Sequence, residues 1–140
     1  MNQLPAAVFV YGTLKRGEER AGCWPRIPRS VVPATVVARL FDLGPYPALL
    51  PGESNDQDIV LGELWRFDPA DLAETLRVLD EVECYGVDDV DLYERRIVTC
   101  STLTGETVDA HCYFLADPQQ AQRSRRMPPD ARGWCEWRGS

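Results

Sequence analysis

Histidine occurs once in the 140 residues, at position 111, and methionine twice. One imidazole cannot supply a histidine-based metal site. The five cysteines (Cys23, Cys84, Cys100, Cys112 and Cys135) include no C-x-x-C pair, so a Cys/His zinc centre is poorly provided for. No apolar run approaches the ~20 residues needed to cross a bilayer. The first ten residues, MNQLPAAVFV, lack the basic region and apolar core of a secretion signal. Together these absences predict a cytoplasmic chain with reduced thiols, no membrane association and no metal. The glycines form neither a phosphate loop ending in Gly-Lys-Ser/Thr nor a G-x-G-x-x-G turn, which removes the common nucleotide signatures. No internal repeat is present.

What is there is an ordinary globular balance, 44% apolar and 26% charged, in a length that suits one domain over residues 1–140. The net charge is −7, and the segment 117–140 carries five arginines against three acids, so the negative charge sits in the rest of the chain. A body of that sign repels phosphate backbones and argues against a nucleic-acid partner. Trp134 and Trp137 in the tail predict that residues 117–140 dock on the body.

Hydrophobic patterning sets the fold class. AAVFVYG reads as a buried first strand and ATVVARLFDLG as a second. GPYPALLPG is an irregular turn or short strand, GESNDQD an exposed acidic loop, and IVLGELWRF a further strand in which Gly62 marks a close backbone approach. LYERRIVTCSTL and ETVDAHCYFL form a hairpin turning near Thr104-Gly105. Val108, Ala110, Cys112 and Phe114 alternate inward there, and His111 falls outside with Thr107 and Asp109. The one strong helix lies in FDPADLAETLRVLDEVE, with Asp68 as N-cap and Pro69 as its first residue. The sum is α+β: a small mixed β-barrel, closed or nearly so, with one principal helix packed on it.

That helix carries an acid at an unexpected azimuth. With Leu72 at zero and ~100° per residue, Leu76 lies near 40°, Leu79 near −20° and Glu83 near 20°. Asp80 flanks the stripe at about 80° and Glu81 points away. If the helix persists to its last turn, Glu83 faces the interior, where desolvation raises a carboxyl pKa and makes it a candidate acid/base. The competing reading is a frayed final turn with Glu83 in solvent.

Three motifs in order, Tyr11-Gly12-Thr13-Leu14 with Gly17, Leu79-Asp80-x-x-Glu83, and Tyr93-x-Arg95, resemble the γ-glutamylcyclotransferase-like superfamily, in its γ-glutamylamine, AIG2-like branch. LFDLGPYPALLPG and VLGELWRF look like the family's middle segment, and the likeness runs from about Val8 to Leu115. GEERAGCW departs from it in lacking the Asn or His common after the first loop. The resemblance implies a cavity lined by the Tyr-Gly-Thr-Leu loop, with Glu83 as acid/base. It also implies intramolecular attack of an α-amine on a γ-glutamyl carbonyl, releasing 5-oxoproline and an amine from a small-molecule substrate. No cofactor is required.

For that chemistry, an unperturbed carboxylate near pKa ~4.3 is a weak base toward an α-ammonium near ~8, and burial lifting it by about two units narrows the gap by nearly 3 kcal/mol. Backbone N–H groups of Gly12, Thr13 and Leu14 are candidates for holding the carbonyl oxygen or the substrate carboxylate. A plain strand-to-loop turn, with Lys15 and Arg16 as solvated cations, is the alternative. Tyr93 is a candidate to orient Glu83 or close the cavity, as well as to fill core. Arg95 is a candidate partner for an acid or a substrate carboxylate, and Tyr46 for the mouth. A His111/Cys112 nucleophile pair is disfavoured because adjacent strand residues point to opposite faces. Asp88, Asp89 and Asp91 lack calcium-loop spacing and read as a solvated acidic loop. The other functional class is a non-catalytic barrel that binds a small molecule or peptide end in the same cavity.

Overall fold

The computed structural model describes residues 5–18, 20–44, 46–82 and 93–137. The strands are β1 (Ala7–Val10), β2 (Ser30–Asp42), β3 (Pro47–Pro51), β4 (Asp58–Arg66), β5 (Tyr93–Thr102), β6 (Thr107–Leu115), β7 (Arg125–Arg126) and β8 (Trp134–Cys135). The helix α1 (Leu72–Val82) lies between β4 and β5.

Five strands close on themselves. β2 pairs β5, β5 pairs β6, β6 pairs β1 in parallel through Val8 and His111, and β1 pairs β4. β4 then returns to β2 over a register running from Ser30↔Arg66 to Ala38↔Asp58. β2 can serve both edges because its 13 residues outrun any neighbour, and its far end pairs β3 and β7. Closure leaves this ring no free edge.

Period-two alternation then sorts side chains into two cores. Phe9, Val36, Leu40, Leu49, Val60, Leu64, Cys100, Ala110, Cys112 and Phe114 fill the barrel. Val8, Val10, Trp65, Tyr93, Tyr113 and Leu115 face outward and meet Leu72, Leu76 and Leu79 of the helix. Gly62 sits where a Cβ would lie 2.3 Å from the Val10 carbonyl oxygen and 2.6 Å from Phe9 Cζ, so only glycine fits this wall.

Asp68 accepts from the Ala70 amide at 3.0 Å, and Pro69 opens a short 3-10 turn that runs into α1 at Leu72. The β5–β6 hairpin turns at Gly105, φ +94°.

The tail is held in pieces. A 3-10 turn over Pro118–Arg123 is capped by Asp117, Arg126 bonds Asp56 and Asp58 at 2.6 and 2.9 Å, and β8 pairs β4 in parallel. Trp137 is buried in the barrel cluster, and its carbonyl accepts from Lys15 Nζ at 2.7 Å. Lys15 is thus buried, not the solvated cation that a plain-turn reading requires. Among the described residues, no helix is long and apolar enough to cross a membrane.

His111 lies on the outer face of β6, as the alternation reads, yet it is only 3% exposed. The segment before β1 covers it, and Nε2 sits 3.1 Å from the Pro5 carbonyl oxygen. Outside the barrel is therefore not outside the protein, because chain and helix cover that face.

Candidate active site

β1 ends at Val10, and the chain leaves the barrel through Tyr11-Gly12-Thr13-Leu14. This turn is pinned from several sides. The Lys15 amide bonds the Gly12 carbonyl at 3.0 Å, and the Arg20 amide bonds that of Thr13 at 2.7 Å, folding the loop back on itself. Trp24 donates from its indole to the Leu14 carbonyl at 3.0 Å and stacks on Trp65 with ring centroids 4.1 Å apart. Gly12 is required by close approach, since a Cβ there would meet Pro47 Cγ at 2.5 Å.

The turn walls a narrow cleft that opens to solvent. Phe9, Val10 and the four turn residues form one side; Arg20, Tyr46, Pro47, Tyr93 and Tyr113 form the rest. The ends of β1 and β6 and the starts of β3 and β5 meet here, at one end of the barrel. Hydrogen bonds lock the aromatic walls. Tyr11 Oη donates to the Tyr113 carbonyl at 2.6 Å and Tyr93 Oη to that of Pro47 at 2.8 Å. Tyr46 meets Tyr93 edge-on, with centroids 6.3 Å apart. Thr13 and Leu14 are buried, and the amides of Gly12, Thr13 and Leu14 find no acceptor among the described residues.

The helix reaches the same place. Tyr113, a cavity wall, donates to Asp80 Oδ1 at 2.6 Å, and Arg20, another wall, donates from Nη1 to the Val82 carbonyl at 3.2 Å. The last described turn of α1 is thus bonded to the cavity at two points.

Of the residues singled out from sequence, Tyr11, Gly12, Thr13, Leu14, Tyr46 and Tyr93 all line the cleft. Arg95 is not among its walls; its Nε lies 3.4 Å from Asp80 Oδ1, the paired-acid arrangement. Glu83, Cys84, Asp88, Asp89 and Asp91 lie outside the described residues. Sequence reasoning missed Arg20, Pro47 and Tyr113. Tyr113 carried a usable signal, since alternation from inward Cys112 and Phe114 puts it on the helix-facing wall.

The other chemistries find little support. Cys112 points into the barrel and His111 away from it. Burial pushes the Cys100 thiol up to about 12 and the Cys135 thiol up to about 11, which makes them inert packing. Among the described residues, no three His, Cys, Asp or Glu side chains are placed to hold a metal ion.

A closed five-stranded barrel with one packed helix is the architecture of γ-glutamyl cyclotransferase-like folds. The chain belongs to the family described as gamma-glutamyl cyclotransferase, AIG2-like, whose model matches residues 8–136. Among solved structures, it is similar to an AIG2-like protein of Mus musculus at 25% identity and a TM-score of 0.67, covering 89% of this chain and 86% of that one. YkqA of Bacillus subtilis superposes with a TM-score of 0.62 at 22% identity over 81% of this chain, which spans only 36% of YkqA. A structure named gamma-glutamyl cyclotransferase matches at 17% identity with a TM-score of 0.54, covering 93% of this chain and 74% of that one. Comparison with curated protein sequences gave no match.

Proposed function

We propose that the protein is a γ-glutamylcyclotransferase acting on small γ-glutamyl compounds, with Glu83 as its acid/base. The α-amine of the glutamyl group attacks its own side-chain carbonyl. The new C–N bond closes a five-membered ring, the old amide C–N bond breaks, and 5-oxoproline and an amine leave. The attacking ammonium loses a proton and the leaving nitrogen gains one. Glu83 takes the first and delivers the second. Holding the substrate bent supplies much of the rate, since effective molarities in well-oriented intramolecular reactions are very large.

The observation that carries this reading is the row of amides at Gly12, Thr13 and Leu14, unpaired among the described residues, on a cavity wall to which the end of α1 is bonded. Amides so placed suit an oxygen that gains negative charge as the ring closes. Val82, held by Arg20, immediately precedes Glu83 in the chain. Family membership supports the reaction class.

The test is release of 5-oxoproline, followed by mass spectrometry across a panel of γ-glutamyl amines and γ-glutamyl amino acids. Glu83→Gln should abolish turnover while 5-oxoproline still binds. Unchanged turnover in that variant removes Glu83 from the mechanism. A wild-type protein that binds panel members without converting any of them is a binding barrel instead.

A further inference from the structure

Arg20 brings a charge into the cleft that the chemistry above does not use. The other lining residues among those described are aromatic, aliphatic, glycine, proline or threonine, and Arg20 carries the one guanidinium. Nearby cations are committed elsewhere, Lys15 Nζ to the Trp137 carbonyl and Arg95 Nε to Asp80. A guanidinium has five N–H donors in a fixed fork. Among the described residues, the Arg20 side chain has one hydrogen-bond acceptor, the Val82 carbonyl, through Nη1. Its backbone is fixed too, by the bond from its amide to Thr13 and from the Cys23 amide to its carbonyl. That bond to Val82 also satisfies a carbonyl at the end of α1, where carbonyls lack intrahelical partners. Capping a helix end uses one donor and leaves the fork oriented. In a chain of net charge −7, this cation among aromatic rings gives an entering anion a local partner.

We propose that Arg20 is the carboxylate-recognition residue of this cleft and that its preferred ligands present a carboxylate to that wall. A planar carboxylate matches the guanidinium fork, and charge-assisted bonds of this kind are about twice as strong as neutral ones. The proposal rests on the cyclotransferase reading for its substrates but not for its binding test. The carboxylate has two possible origins: the α-carboxylate of the glutamyl group, retained in 5-oxoproline, or a carboxylate on the leaving amine.

Two ligand pairs separate the origins. The first is 5-oxoproline against its uncharged amide, followed by calorimetry. The second is γ-glutamyl-alanine against γ-glutamyl-ethylamide, followed by KM. Recognition of the α-carboxylate gives a preference of about tenfold or more in the first pair. Recognition of the leaving group gives it in the second. In either case Arg20→Gln removes the preference, and Arg20→Lys, a point charge without the fork, restores part of it. Should the variants not fold, the Arg20 guanidinium NMR signals in the wild-type protein must shift with the carboxylate ligand and not with its amide. Glu83→Gln keeps the preference for 5-oxoproline under both readings. A wild-type protein that turns nothing over yet discriminates through Arg20 overturns the enzyme reading and upholds this one. A wild-type protein with no preference in either pair, or a preference that survives Arg20→Gln, overturns it.

Discussion

The Tyr113 hydroxyl donates to Asp80 Oδ1 at 2.6 Å, and Arg95 Nε approaches the same oxygen at 3.4 Å. Tyr113 and Arg95 are direct partners across the β5–β6 ladder, so one carboxylate on the last turns of α1 gathers both strands beneath it. Tyr113 also walls the cleft, so the bond couples the position of the helix end to the shape of the cavity.

Breaking this cluster should therefore show in catalysis as well as in stability. Tyr113→Phe removes one hydrogen bond and should cost about 1 kcal/mol. Asp80→Asn removes the charge that Arg95 faces. It should cost more, ~1–3 kcal/mol, because Arg95 Nη1 is already buried without a partner among the described residues. In urea unfolding the double variant should lose less than the sum of the singles, as groups sharing a partner do. Under the proposed reaction both variants should lower kcat more than they raise KM, since they disturb the helix end rather than the turn. Additive stability losses with unchanged kcat would show that the cluster is surface decoration.

A second prediction follows from Gly12. Its backbone is not left-handed; what matters is Pro47, whose Cγ and Cδ would lie 2.5 and 2.8 Å from an added Cβ. Pro47 cannot readily withdraw, because it opens β3 opposite Asp42 and its carbonyl holds the Tyr93 hydroxyl. Gly12→Ala should therefore push the turn out of place, at a cost of ~1–3 kcal/mol, and reduce ligand affinity at least tenfold. Gly105→Ala is the control. With φ +94° and open space around it, that residue strains only the distant hairpin, by ~1 kcal/mol. Equal effects of the two substitutions on binding would sink the argument from Pro47.

The difference between Gly12 and Arg20 shows how far sequence patterning reached. Alternation in ETVDAHCYFL placed Ala110, Cys112 and Phe114 in the barrel, because strand period is local; the Asp68-Pro69 pair marked the 3-10 turn that leads into the helix rather than the first residue of α1 itself. Gly62 was legible for the same reason, a glycine in an otherwise bulky strand. The turn motif led to the cleft, but Arg20 did not follow from it, since a loop side chain has no period to give its direction. The burial of Lys15 depends on a carbonyl 122 positions away, and the cover over His111 on one 106 positions away. Contacts at such separations leave no mark in either segment by itself. The docking of β7 and β8 is equally silent, as two-residue strands are too short to show alternation.

That cover over His111 gives the protein an acid-sensitive point. Its Nε2 faces a carbonyl oxygen, which can only accept, so Nε2 carries the proton of the neutral ring. Burial depresses the His111 pKa below 6.5 and the positive charge of Arg95 adds to the effect, while the Pro5 carbonyl and Asp80 oppose it. A depressed folded-state pKa means that the unfolded chain binds the proton first. The stability His111 contributes is therefore complete above pH ~6.5 and declines as pH falls toward the folded value. Urea titrations at pH 7.5, 6.5 and 5.5 should show a loss of stability across this window. His111→Gln, which can still donate to the Pro5 carbonyl but cannot charge there, should flatten that part of the curve while carboxylates elsewhere still titrate at lower pH. A wild-type curve already flat between pH 7.5 and 5.5, or one that His111→Gln leaves unchanged, would mean that the imidazole accepts its proton in place.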